Sequence, residues 1–138
     1  MKIIFKKRKT SWLMQLITLV TSGEYGHVEI MFADKMCFSS VPFRGVRLKK
    51  ITELTEYDII DFNTTEVEEQ EVRRYCQSLI GKKYDYKNVF GFVFHYNVVD
   101  TGRYYCSQLC ALVLLKMKKV VFNCERRISP SQLFSMVV

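Results

Sequence analysis

The sequence has 138 residues, of which 49% are hydrophobic and 14% aromatic, a composition that excludes a disordered chain and favours a domain with a buried core. Its net charge of +7 favours an anionic partner, such as an acidic protein or an anionic membrane surface, although a solvated positive surface is the simpler interpretation. No nucleic-acid-binding motif accompanies the basic residues, so we do not expect nucleic acid. No apolar run reaches the roughly 18 to 20 residues that a membrane-spanning helix needs.

The first half of the chain predicts a small antiparallel sheet. Residues 2–5 are β-prone, and a helix over 12–21 follows, capped by Thr10 or Ser11 and ended by Gly23. Strands are predicted over residues 26–32, 35–41, 46–49 and 57–62, which together form an antiparallel meander. In the first of these strands, period-two alternation predicts two faces, one with His27, Glu29 and Met31 and the other with Val28, Ile30 and Phe32.

The second half of the chain predicts mainly helices. Thr65 and Glu68 form a capping box that opens a helix ending at Gly81, and its expected buried stripe is Val67, Val72, Tyr75, Cys76 and Leu79. The aromatic-rich segment 82–100 predicts a short helix near residues 87–94. A brief strand is predicted over residues 120–122. Ser129 followed by Pro130 predicts the start of a last short helix.

The segment Arg103-Tyr104-Tyr105-Cys106-Ser107-Gln108-Leu109-Cys110 and the apolar run after it predict a further helix, with Leu109, Leu112, Val113 and Leu115 on one face. Lysines 116, 118 and 119 suit the negative end of its dipole. Cys106 falls at or near the helix start, where the positive end of the dipole and unpaired backbone N–H groups favour a thiolate. The position suits a nucleophile, but on the helix alone an ordinary core cysteine is the simpler interpretation.

The cysteine pattern bears on the compartment and on metal binding. The five cysteines are an odd number without regular spacing, so we expect reduced thiols in a cytoplasmic protein rather than a disulfide framework. Neither C-x-x-C nor H-x-x-x-H pairs occur, which argues against a metal site, and no nucleotide-binding fingerprint indicates a cofactor. The apolar run over residues 12–20 follows basic residues but lacks a small-x-small cleavage site, so we expect no signal peptide.

A cysteine nucleophile needs a base within reach and a third group that orients the base. The two histidines are candidates for the base. His95 lies in an aromatic stretch and is most simply a core or loop histidine. His27 begins a strand, and Gly26 leaves room beside it. A histidine on a strand, a cysteine at a helix start and a meander able to pack on that helix together predict a cysteine-dependent site.

Four segments carry a family resemblance: Gly26-His27-Val28-Glu29-Ile30, Gly81-Lys82-Lys83-Tyr84-Asp85, Tyr105-Cys106-Ser107-Gln108-Leu109 and Ile128-Ser129-Pro130-Ser131-Gln132-Leu133. In order and spacing they resemble the motifs of circularly permuted NlpC/P60 proteins. These form the YiiX/YaeF-like branch of papain-like cysteine hydrolases, which is related to the lecithin retinol acyltransferase group. The resemblance implies one α+β domain over residues 1–138, with a permuted papain-like fold in which a small antiparallel sheet or half-barrel packs against helices.

The resemblance also implies catalytic roles. Cys106 matches the nucleophile and His27 the general base. The third polar residue of the family falls near Ser39, where relatives often carry glutamate, and a serine cannot supply the charge of a carboxylate. Glu29, on the same strand face as His27, is the alternative, unless it is only a neighbouring or surface carboxylate. The orienting residue therefore stays open between Ser39 and Glu29.

Two tyrosines are the substrate-binding candidates. Tyr84 matches a tyrosine that approaches the active site in relatives, with a packed core aromatic as the other interpretation. Tyr105 lies next to Cys106 in the matching motif.

The implied reaction is acyl transfer through a thioester on Cys106, from a peptide amide or from a lipid ester or thioester. The backbone N–H of Cys106 would donate to the oxyanion. The alternative is a non-catalytic binding or inhibitory protein on the same scaffold that engages an acidic partner.

Overall fold

The computed structural model describes residues 1–7, 11–94, 102–119, 121 and 127–138, and over these ranges the chain has an α+β architecture. The structure contains a five-stranded sheet and five helices in the described residues. In chain order the elements are β1 (Lys2–Lys7), α1 (Trp12–Thr21), β2 (Tyr25–Met31), β3 (Met36–Val41), β4 (Gly45–Lys50), β5 (Tyr57–Asp61), α2 (Glu66–Leu79), α3 (Tyr86–Phe94), α4 (Cys106–Lys116) and α5 (Pro130–Val137).

The sheet has the strand order β4-β3-β2-β1-β5, and every neighbouring pair is antiparallel. The predicted meander is correct for β2, β3 and β4 but wrong for β5, which pairs with β1. β1 offers β5 an open edge, and the pairing places Ile3 opposite Ile60 and Ile4 opposite Ile59. Such apolar cross-strand pairs stabilise a sheet, and they are not apparent from the order of the strands along the chain.

The main core lies between one face of the sheet and the helices α2, α4 and α5. From the strands it takes Ile3, Phe5, Tyr25, Val28, Ile30, Phe38 and Val46, and Phe32, directly after β2, adds to them. Helix α4 is buried on most of its circumference, because Cys110, Ala111 and Leu114 are buried along with Leu109 and Val113. The predicted single apolar face is therefore too narrow, and Leu112 and Leu115, which it included, are only partly buried.

Helix ends follow the sequence signals closely in α2 and α5. Both predicted caps are confirmed as full capping boxes, Thr65 with Glu68 and Ser129 with Gln132. The predicted stripe of α2 is wrong at Val67, which is 65% exposed. Val67 precedes the buried Val72 by five residues, and at 3.6 residues per turn that places it about 140° around the helix.

Helix α1 begins and ends where it was predicted, but its caps differ in detail. Ser11 occupies the N-cap position without making a side-chain cap hydrogen bond, and Thr10 lies outside the described residues. At the other end Ser22 adopts the left-handed conformation, and the N–H of Gly23 donates to the carbonyl of Thr18.

Some predictions concern residues that the structure does not describe. His95, Cys124 and most of the predicted strand over residues 120–122 lie outside the described ranges. Among the helices of the described ranges, none is long and apolar enough to cross a membrane.

Candidate active site

The open end of the β2–β3 pair receives the start of α4. The two strands pair only at Ile30–Phe38 and Met31–Cys37. Where the ladder stops, the hydroxyl groups of two serines of β3 donate to backbone carbonyls. Ser39 Oγ donates to Val28 O (2.7 Å), and Ser40 Oγ donates to Tyr104 O (2.6 Å), two residues before the first residue of α4. Because α4 also contacts both β2 and β3, this end of the helix is fixed between the two strands.

His27 lies on β2 with its side chain on the same face as Glu29, as the alternation predicts. Its Nε2–H donates to Glu29 Oε1 at 3.2 Å, which leaves Nδ1 as the ring nitrogen that Glu29 does not engage. Burial opposes protonation of the ring. The charge of the Cys106 thiolate and a hydrogen bond to it, together with Glu29, overcome this effect and raise the pKa of His27 to about 10. The structure thus brings Cys106, His27 and Glu29 together.

Glu29 is almost fully buried and is held by two cations. Arg47 Nη2 donates to the same Oε1 atom at 3.3 Å, so His27 and Arg47 share one carboxylate oxygen. Burial favours the neutral acid. The hydrogen bond and charge of His27, followed by those of Arg47, nevertheless lower the pKa of Glu29 below its ordinary value. Glu29 is therefore a carboxylate that fixes the imidazole and stabilises its charge.

Of the two candidates for the orienting residue, Glu29 contacts the imidazole, whereas the hydroxyl of Ser39 is directed at Val28 O. Ser39 pairs with Arg47 across β3 and β4. Its small side chain leaves room for the guanidinium to extend over β3 toward Glu29. Arg47 is the functional candidate that sequence reasoning missed. Arg47 can be recognised as a candidate only from the strand register, because the pairing of β3 with β4 places Arg47 near β2.

The two tyrosine candidates have different environments. Tyr84 lines the cavity beside His27 and packs against Ile17 and Val89; burial, and then the charge of the Cys106 thiolate, raise its pKa well above the ordinary value. Tyr105 is buried next to α4, and its phenol oxygen accepts a hydrogen bond from the N–H of Ile128 (3.0 Å). It does not line the cavity, so its observed contacts support the protein core.

The start of α4 supplies backbone donors beside the thiol. Tyr105 is the N-cap residue and makes no side-chain cap hydrogen bond, and the first helical bond runs from Leu109 N to Tyr105 O. The N–H groups of the first turn therefore lack a capping side chain. An oxyanion formed at Cys106 would find these donors and the positive end of the helix dipole nearby.

A cavity of about 430 Å³ opens beside His27 and Glu29. Arg47 and Tyr84 line it, together with Met14 and other residues of α1 and the segment that follows β4. Helix α1 packs so closely against Gly26 that no side chain fits at this position, because a Cβ added to Gly26 would lie 2.7 Å from Met14 Cβ. Cys106 is only 3% exposed and does not itself line the cavity.

No protein-family model matches the chain, and no curated protein is significantly similar to it in sequence. Within the described part of the chain, no cluster of three or more histidine, cysteine, aspartate or glutamate residues could hold a metal ion.

Proposed function

We propose that the protein is a cysteine-dependent acyl hydrolase or acyltransferase with a permuted papain-like fold. The observation that carries the proposal is the contact chain in which the side chain of Cys106 contacts His27 and the imidazole of His27 contacts the carboxylate of Glu29. A nucleophile, a base and an orienting group in hydrogen-bond contact are the requirements for nucleophilic catalysis. The order of the site along the chain, with a histidine strand before a cysteine helix, fits the permuted NlpC/P60 arrangement.

The reaction that these groups support is acyl transfer. The thiolate of Cys106 attacks the carbonyl carbon of an amide, ester or thioester, and N–H groups at the start of α4 donate to the oxyanion. When the tetrahedral intermediate collapses, the bond to the leaving group breaks and His27 gives that group its proton. Water or an acyl acceptor then attacks the thioester while His27 takes its proton, and Cys106 is released as thiolate. Glu29 keeps the imidazole oriented throughout.

One observation favours the second candidate function, a binding or inhibitory protein on this scaffold. Cys106 is only 3% exposed, and a nucleophile has to reach its substrate. The two functions differ in the reactivity expected of the Cys106 thiol.

We expect iodoacetamide to alkylate Cys106 at pH 6 at least tenfold faster than Cys37, Cys76 or Cys110. Burial raises the pKa of Cys37 and Cys76 to about 12 and that of Cys110 well above its ordinary value, so these thiols stay protonated. The imidazolium of His27 stabilises a thiolate at Cys106. Mass spectrometry of tryptic peptides over time gives the rate for each cysteine.

The matched variant for this experiment is His27→Gln, which keeps a polar side chain but removes the imidazolium charge. The rate at Cys106 falls toward that of the other thiols if His27 stabilises the thiolate. Equal alkylation of Cys106, Cys37, Cys76 and Cys110 in the parent protein would contradict the catalytic proposal and favour the binding protein.

A further inference from the structure

The cavity beside His27 has an excess of positive charge. Four cationic residues line it, Lys6, Arg47, Lys49 and Lys50, against the two acidic residues Glu29 and Glu53. One of the four is already neutralised, because Lys6 forms an ion pair with Glu56 (3.4 Å). Lys49 and Lys50 are exposed and form no ion pair with any other described residue. Lys49, which lies on the same face of β4 as Arg47, is thus available to an anion.

Arg47 adds a second, independent observation at the inner end of the cavity. Its Nη2 atom donates to Glu29, but its Nη1 atom is buried and has no hydrogen-bond partner in the described structure. A buried donor without an acceptor is costly, and ligands often supply the missing partner. A guanidinium also presents several donors in one plane, which suits the oxygens of a carboxylate or phosphate.

We propose that this cavity binds an anionic group of the substrate, a carboxylate or a phosphate, and so presents the adjoining acyl carbonyl to Cys106. The proposal depends on the proposed function, since it names the substrate class of the same site. The cavity volume of about 430 Å³ lies within the range of small-molecule sites. Met14, Ile17 and Pro42 give it apolar walls, which accommodate the uncharged part of the same substrate.

The first test compares two alkylating reagents of nearly equal size, anionic iodoacetate and neutral iodoacetamide. We expect the ratio of the iodoacetate rate to the iodoacetamide rate, measured at low salt, to be at least about fivefold higher at Cys106 than at free cysteine. The double variant Lys49→Gln/Lys50→Gln loses at least half of that preference, because only Arg47 and His27 then attract the anion. The control, Lys87→Gln/Lys119→Gln, removes the same charge from exposed positions outside the cavity and keeps the preference.

The second test measures binding directly and does not require a reactive thiol. Inorganic phosphate and acetate are titrated separately while NMR follows the ring signals of His27. The parent protein and the control variant bind at least one of the two anions saturably, and Lys49→Gln/Lys50→Gln weakens that binding threefold or more. The anion that binds more tightly identifies phosphate or carboxylate as the preferred group.

The outcomes separate the two proposals. Anion binding with an unreactive Cys106 would support the cationic cavity and overturn acyl transfer. A reactive Cys106 whose reagent preference and anion binding are the same in Lys49→Gln/Lys50→Gln as in the parent protein would support acyl transfer and overturn the anion site.

Discussion

Glu29 and His27 illustrate how two residues of one strand can form most of a proposed catalytic site. Glu29 follows His27 by two positions, and strand geometry alone places both side chains on one face. The carboxylate is nearly inaccessible to water, so its charge has to be balanced by His27 and Arg47. A change in either cation is therefore expected to affect the other through the shared oxygen.

We expect the parent protein to be about 2 kcal/mol more stable than Glu29→Gln at pH 7, as is typical for hydrogen bonds to charged groups. The pKa of Glu29 is lowered on folding, so its carboxylate contributes stability that is present above about pH 4.5. This contribution is lost as the pH falls through the lowered folded-state pKa. Urea unfolding of both proteins at pH 7, 5, 4 and 3 measures the difference.

The control for this prediction is Glu53→Gln, which removes an exposed carboxylate from the same cavity. It should change the free energy of unfolding by less than about 0.5 kcal/mol at each pH. A stability difference between parent and Glu29→Gln that stays constant from pH 7 to pH 3 would contradict the proposed role of the charge.

Residue-level prediction from sequence succeeds where the chemistry depends on local geometry. The position of Cys106 at a helix start makes it a candidate nucleophile, and strand alternation places Glu29 beside His27. Arg47 and the structural role of Ser39 depend on which strands are neighbours, and no local pattern contains that information. The orienting group could therefore not be chosen between Ser39 and Glu29 until the register was known.

Gly45 connects β4 to the loop that carries Tyr84. It adopts a φ of +70°, and a Cβ added there would lie 2.2 Å from Lys82 O. Two backbone hydrogen bonds join the start of β4 to residues 81–82, from Val46 N to Lys82 O (2.8 Å) and from Gly81 N to Val46 O (3.0 Å). This close backbone contact positions the cavity wall, because Tyr84 follows Lys82 by two residues.

We expect Gly45→Ala to lower the free energy of unfolding by about 3 kcal/mol, because strain at positive φ costs about 1–2 kcal/mol and the backbone clash adds to it. The measurement is chemical denaturation followed by circular dichroism. Gly81→Ala is the matched control, since Gly81 also has a positive φ but no atom within 4 Å of an added Cβ. Equal decreases in the free energy of unfolding of the two variants would contradict the prediction, since the clash with Lys82 would then add nothing to the cost of positive φ.

Element boundaries were predictable from capping signals to a greater extent than element neighbours. The boxes at Thr65 and Ser129 depend on side chains three residues apart, so the sequence contains all of their partners. The position of β5 beside β1 depends on partners more than fifty residues apart. The exposure of Val67 shows a similar limit, since an apolar residue in the first turn need not face the core.

The core of the molecule is organised around α4, which packs against β2, β3 and α5. We expect Leu109→Ala to lower the free energy of unfolding by about 2–5 kcal/mol, because Leu109 is fully buried and its truncation leaves a cavity. Leu19→Ala makes the same substitution in α1 at a side chain that is 67% exposed, and should cost less than about 0.5 kcal/mol. Urea unfolding of the two variants checks this ranking, which a similar loss in both would contradict.

Strand β2 contributes one face to the hydrophobic core and the other face to the candidate site, so both depend on the same strand. Val28 and Ile30 belong to the core, while His27 and Glu29, interleaved with them, carry the proposed chemistry. Inserting one residue at the start of this strand would turn every side chain on one side of the insertion to the opposite face. Homologous chains are therefore expected to keep the number of residues in β2 unchanged, even where individual amino acids of the strand differ.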